Sequence, residues 1–218
     1  MPPLRYTLLS EGTTDTNLIP IINWTLREVA DVPVAEGIRA NLQKLRRPPV
    51  SFVERIKSAV DLFPCNVLFI HRDADGGQPE ERHAEIRKAI NQATSDGCKV
   101  PAVAVVPVRE TEAWLIFDER AIRNAAGNPN SDVPLNLPSL SKVEGRPNPK
   151  SDLRTALISA SGLNGRKRKK FRASQAFWRI VDFIDDFSPL RQLRAFRVFE
   201  ESIRRLKSSE WKTGFYGL

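Results

Sequence analysis

Apolar positions along the chain recur with two different periods, and the alternation of those periods outlines an architecture. Leu4 to Ser10 has strand composition and leads into Glu11 and Gly12. Val67 to Ile70 is an apolar run too short for a lone helix and rich in β-formers, so it reads as a buried strand. Val100 to Val108 is a second continuous apolar stretch, as expected in a sheet covered on both faces. Helical spacing lies between these strands. Thr13-Thr14-Asp15 opens a helical pattern with Leu18, Ile19, Ile22 and Leu26 on one face, and Thr14 is a candidate cap. Ser51 to Phe63 forms a second helical pattern. Pro79 to Ser95 is a charged surface helix with Ala84, Ile86, Ala89 and Ile90 inward.

Strand, helix, strand, helix, strand, helix predicts a three-layer α/β domain with a mainly parallel sheet. Residues 31–50 are ambiguous: Val32-Pro-Val-Ala is a candidate edge strand, and Lys44-Leu-Arg-Arg-Pro-Pro a basic loop. Asn128 to Pro149, rich in Asn and Pro, reads as a loop. Asp152 to Ser161 predicts a short helix, and Ala173 to Asp186 and Pro189 to Lys207 two amphipathic ones. The expected organisation is an α/β domain over 1–127, a loop-rich connection over 128–150 and a basic helical C-terminal part over 151–218.

Charge sharpens that division. From Arg146 to Leu218 there are 17 Lys and Arg against 7 Asp and Glu, a balance of +10, within a chain of net charge +8. Such a segment is either a solvated helix surface or an electrostatic footprint for nucleic acid. Its densest run is Gly162-Leu-Asn-Gly-Arg-Lys-Arg-Lys-Lys-Phe-Arg172, where Arg166, Lys167, Arg168, Lys169, Lys170 and Arg172 are candidate phosphate contacts. The run lacks the Gly-Lys-Ser/Thr arrangement of a nucleotide-binding loop. With 41% hydrophobic residues the chain is expected to be globular, and no apolar run approaches the length of a membrane span. Two cysteines and the absence of an apolar leader at Met-Pro-Pro-Leu-Arg predict a cytoplasmic protein. Having only His71 and His83 argues against His-based zinc chemistry and a Ser-His-Asp triad.

Chemistry concentrates where strands end. Asp73 and Asp75, followed by Gly76 and Gly77, stand just past the 67–70 strand. In a parallel α/β sheet ligands bind there, outside the carboxyl ends of the strands. Two carboxylates this close repel, and a divalent cation is the usual remedy; hard oxygen ligands favour Mg2+ or Mn2+ over zinc. D-x-D-G-G is also good turn chemistry, so the pair alone does not decide between metal and turn. Glu11 ends the first strand with Asp15 just beyond, and Glu110 and Glu112 follow the 100–108 strand. Acids after three successive strands favour the metal site. Trp114 is expected in the core, as are Phe177, Trp178 and Phe199.

Glu11-Gly-x-x-Asp15, Asp73-x-Asp75 and Glu110-x-Glu112 together closely resemble the Toprim arrangement, in particular that of OLD-type (overcoming lysogenisation defect) nucleases. The Glu-x-Glu-Ala-Trp-Leu stretch is similar to that of small Toprim-like proteins, and the resemblance covers roughly residues 4–125. It implies a Toprim-like, Rossmann-like fold with a C-terminal helical appendage, and divalent-metal ligands at Glu11, Asp73 and Asp75. It further implies that Asp15 and Glu112 complete a two-metal site, although Glu110 stands where a serine is expected. A later lysine assists in the family; Lys150 and Lys167 are both candidates. The implied activity is Mg2+- or Mn2+-dependent hydrolysis of DNA or RNA phosphodiesters, in a defence or mobile-element setting. A separate ATPase is an expected partner. The rival expectation is a non-catalytic nucleic-acid-binding or adaptor subunit. Topoisomerase chemistry needs a nucleophilic tyrosine, and only Tyr6, inside a strand, and Tyr216, near the C-terminus, exist.

Overall fold

Four parallel strands form one sheet in the order β2-β1-β3-β4: β1 (Leu4–Leu9), β2 (Ala35–Arg39), β3 (Val67–His71) and β4 (Ala102–Val105). The structure, a computed structural model, describes residues 3–12 and 14–206. Thr13, Lys207 and Tyr216 lie outside the described residues. Among those described, no helix is long and apolar enough to cross a membrane.

Side chains alternate across each strand and divide the interior into two layers of packing. Leu4, Tyr6 and Leu8, with Val67, Phe69, Val103 and Val105, face one side. There they meet α1 (Leu18–Ala30) and α9 (Arg194–Arg205). Leu68 and Ile70 face the other side, against α2 (Phe52–Leu62) and α3 (Pro79–Ser95). This is the expected three-layer α/β arrangement. α2 starts at a capping box, in which Ser51 accepts from Glu54 N and the Glu54 side chain accepts from Ser51 N. α3 has Pro79 at its start and Glu80 and Glu81 in its first turn, both favourable there.

The remaining helices are α4 (Glu119–Ala125), α5 (Leu140–Val143), α6 (Pro149–Ala160), α7 (Gly165–Lys170) and α8 (Ala173–Arg179). Residues of α4, α6, α8 and α9 share one apolar cluster with β1, β3 and β4. The C-terminal helices therefore complete one face of the sheet. Trp114 is the joint: fully buried, its ring lies 5.4 Å from Phe196 and 5.8 Å from Phe199, and Phe199 reaches Phe69 of β3 at 6.2 Å. Phe177 is buried as expected, but Trp178 is 37% exposed.

Several elements differ from expectation for local reasons. The edge strand begins at Ala35 and not at Val32, because Pro33 cannot donate and pairing starts where Val34 O accepts from Leu4 N at 3.0 Å. β4 is an edge strand limited to Ala102–Val105, since Pro101 and Pro107 offer the ladder only carbonyls. The segment after Glu110 forms only a 3-10 turn, Thr111–Trp114, because Ala113, Trp114, Leu115 and Ile116 are all buried and leave no outward face. Asp15 and Thr14 likewise lie in a 3-10 turn, Thr14–Asn17, ahead of α1. α6 starts earlier than expected: Asn148 caps it through Ser151 N at 2.8 Å, and Pro149 takes the first position. The predicted 173–186 and 189–207 helices contract to α8 and α9, each adjoined by a 3-10 turn.

Tyr6 is wholly buried, with its hydroxyl donating to Ile19 O and lying 2.9 Å from Asn23 Oδ1. Burial pushes its phenol far above the ordinary range, so it is no nucleophile. Its ring covers Gly37, its partner on β2, where any Cβ would collide with it. Gly37→Ala is therefore expected to destabilise the protein by about 1–3 kcal/mol, as overpacking does. Urea unfolding checks this; an unchanged midpoint would contradict the assigned packing.

Candidate metal centre and basic cleft

β1 and β3 are neighbours whose chain connections leave toward opposite sides of the sheet. Their C-terminal ends thus flank a topological switch point, where α/β sheets open a crevice. The loops beyond β3 and β4 stay zipped together: Val105 O accepts from Arg72 N, Pro107 O from Ala74 N and Arg109 O from Asp75 N, each at 3.3 Å. This ladder holds Asp73 beside the 110–112 segment. The chain then turns sharply, with Asp75 and Gly76 at φ of 51° and 82° and Gly77 N donating to Ala74 O at 2.7 Å. The positive φ at Gly76 favours glycine; a Cβ there would come within 2.7 Å of Arg109 Nη1, the tip of a flexible side chain that could move aside.

His71 is the hub of the crevice. Its Nδ1 lies 3.0 Å from Val105 O, and since a carbonyl only accepts, Nδ1 carries a proton. Its Nε2 faces Asp73 Oδ1 at 3.3 Å, Thr111 Oγ1 at 3.4 Å and Asp15 Oδ1 at 3.7 Å. Burial disfavours the imidazolium, but the Asp73 and Asp15 carboxylates and the Val105 carbonyl outweigh burial and raise the His71 pKa. Asp15 is buried, and its Oδ2 accepts from Gly12 N at 2.8 Å. Asp73 Oδ1 is also buried, and no donor approaches it along a hydrogen-bonding direction despite the nearby imidazole.

Glu112 completes the buried acidic group. Burial raises its carboxyl above the usual range, Lys150 opposes the shift, and Glu110 and Asp73 add to it. Lys150 Nζ lies 3.7 Å from Glu112 Oε1, while Lys150 N donates to Glu110 Oε2 at 3.1 Å. Of the two candidate lysines, Lys150 therefore stands at the carboxylates. Lys167 instead lines a separate groove with Lys170 and Arg179.

Two expected ligands turn elsewhere. Glu11 is half exposed and held by Arg72 Nε at 3.2 Å and Arg55 Nη1 at 3.4 Å. The Asp75 side chain is 70% exposed, with Arg82 Nη2 at 3.7 Å. Among the described residues, no three His, Cys, Asp or Glu side chains as placed form a ready cage for an ion. Asp15, Asp73 and Glu112 supply oxygen donors of the kind a hard divalent cation takes, and Asp73 Oδ1 is buried and accepts no hydrogen bond. The sequence pattern points to the acids but not to His71, whose one visible signal is its position at the end of an apolar strand directly before D-x-D.

Beside Glu112 a cleft of about 480 Å3 opens between α6 and α8. Lys150, Arg154 and Arg172 line it with Phe171 and Phe177. The basic run folds as α7, with Arg166 to Lys170 all exposed and, among the described residues, without an acidic ion-pair partner. Asn17 Nδ2 donates to Phe177 O at 3.3 Å, fixing the cleft wall to the loop that carries Asp15.

A raised His71 pKa fixes the sign of a pH effect. Its stabilising contribution is complete below the ordinary value of 6.5 and is lost as pH rises from there through the higher folded value. In chelator, the urea midpoint of the wild type is expected to fall across that window relative to His71→Gln. Parallel profiles for the two proteins would contradict the assignment.

Compared with known proteins, the chain matches no family model, no curated protein and no solved structure.

Proposed function

We propose that this protein is a Mg2+- or Mn2+-dependent phosphodiesterase acting on nucleic acid at the ends of β1, β3 and β4. One observation carries the reading: Asp15, Asp73 and Glu112 converge on a switch-point crevice in which Asp73 Oδ1 is buried, accepts no well-directed hydrogen bond and has only the His71 imidazole beside it. These three side chains would hold the ion. When bound, a divalent cation supplies Lewis-acid stabilisation of charge on the phosphoryl group.

The chain's own groups do the rest. His71, held by Val105 O, stands with Nε2 between the Asp15 and Asp73 carboxylates and offsets their repulsion when protonated. Lys150 has a 64% exposed side chain at the mouth of the basic cleft, where its ammonium can meet a phosphate oxygen as charge develops. Thr111, against His71 Nε2, keeps the ring in place when the imidazole is neutral.

A second reading, a nucleic-acid-binding adaptor that works with a separate ATPase, draws on a different observation. Glu11 and Asp75 are engaged by arginines and not gathered with the other acids. Supercoiled plasmid and single-stranded RNA, each with Mg2+, Mn2+ or EDTA, separate the two. The nuclease reading predicts metal-dependent cleavage that Asp73→Asn abolishes. It also predicts that Lys150→Ala lowers kcat about 10²–10³-fold, as loss of one charge-stabilising donor does. Nucleic-acid binding with no cleavage under any metal would transfer the assignment to the adaptor.

A further inference from the structure

The cleft beside Glu112 does not end at Arg172. Phe171 and Arg172 also line a second groove, of about 660 Å3, on the far side of the α7–α8 junction, where Lys167, Lys170 and Arg179 lie. The two hollows thus share a common ridge and form one path leading from the carboxylates toward the exposed basic helix. Along it, Lys150, Arg154, Arg172, Lys167 and Lys170 are cationic and exposed. Among the described residues, only Lys150 of these five has an acidic partner within ion-pair distance. Unpaired guanidinium and ammonium groups along a groove are free to neutralise an anion. By contrast, Arg146, Arg191 and Arg194 each hold a carboxylate at 2.7 Å.

We infer that this path binds a single polynucleotide strand, with Phe171 as the base-stacking surface at the ridge and Arg154 and Arg172 on successive phosphates. Size, charge and apolarity agree. Each hollow has the volume of a small-ligand pocket, enough for a nucleotide unit. Cations lining the hollows together with an aromatic ring suit phosphates and bases, and such binding needs no sequence readout. Phe171 is half-buried against the core, lines both hollows and, among the described residues, has no aromatic ring partner. Phe177, buried against the core and edge-on to Trp178, forms only the wall. The strand assignment rests on the phosphodiesterase reading for its substrate chemistry. It adds that the substrate enters unpaired, which makes the protein selective for single strands, gaps or ends.

Binding tests this without any need for cleavage. Fluorescence anisotropy with a labelled oligothymidylate, the matching oligouridylate and a duplex of equal length, in Ca2+ and in EDTA, compares wild type with three variants. Either single strand is expected to bind at least tenfold more tightly than the duplex, and the better of the two identifies the nucleic acid. Arg154→Ala/Arg172→Ala should weaken strand binding at least tenfold and reduce the salt slope by about 1.4, two single-strand phosphate contacts. Phe171→Leu, which keeps the wall apolar, should weaken it about fivefold or more by loss of stacking. Lys167→Ala/Lys170→Ala, on surface positions, should lower the slope similarly. Duplex bound as tightly as strand, or a double arginine variant with wild-type affinity and slope, would overturn the inference. Strand binding that depends on these residues but is accompanied by no metal-dependent cleavage would sink the nuclease reading and leave the strand path standing. Cleavage that is indifferent to them would do the reverse.

Discussion

Three carboxylates gathered at the C-terminal ends of a parallel sheet, Asp15 and Glu112 buried and Asp73 partly exposed, are the constraint on which the site depends. Asp15, Asp73 and Glu112 come from three loops that the strand order brings together, and in a low-dielectric crevice their repulsion has to be offset. His71 offsets part of it by standing between Asp15 and Asp73 with its other nitrogen tied to Val105 O. Gly12 N donates to Asp15, and Lys150 faces Glu112 from the start of α6. A proton on His71 eases this repulsion, and on the proposed reading a bound cation would ease it instead. The surrounding devices, from the Gly76 turn to the zipped 72–75 and 105–109 loops, serve to hold the acids at that spacing.

The helices after residue 128 matter to the site as much as the sheet does. Trp114, Phe196 and Phe199 lock α9 over β3, and the shared apolar cluster extends through α4, α6 and α8. That packing sets α6 and α8 against the sheet's C-terminal edge, which puts Lys150, Arg154 and Arg172 within one cleft. Positive charge in this part of the chain is of two kinds. Arg191 and Arg194 are paired with carboxylates and hold helices in place, whereas α7 projects its cations into solvent. The α7 cations, like Arg154 and Arg172 in the cleft, have no acidic ion-pair partner among the described residues.

How much of this could be seen in the residues depends on whether the signal was local. β3 and its D-x-D-G-G ending were legible because an apolar run followed by acids and glycines has few other solutions in an α/β chain. α3 was legible to the residue, from Pro79 to Ser95. β2 was misplaced by three residues, since its alternation of half-buried and exposed positions is faint and only the loss of the Pro33 donor sets its start. The acids were found, but their partition was not. Glu11 is captured by Arg55 and Arg72, and Asp75 is swung outward by its left-handed turn, and both depend on contacts between distant segments. The choice between Lys150 and Lys167 was open for the same reason. Nothing nearby in the chain brings Lys150 to Glu112; the Asn148 cap and α6 packing do.

On the proposed reading Asp15, Asp73 and Glu112 hold a hard cation and Asp75 does not. Calorimetric titration of the purified protein with Mn2+ tests it most directly, comparing wild type, Asp73→Asn and Asp75→Asn. The account predicts Mn2+ binding by the wild type and by Asp75→Asn, and its loss in Asp73→Asn. No binding by the wild type, or binding that survives in Asp73→Asn and vanishes in Asp75→Asn, would contradict it.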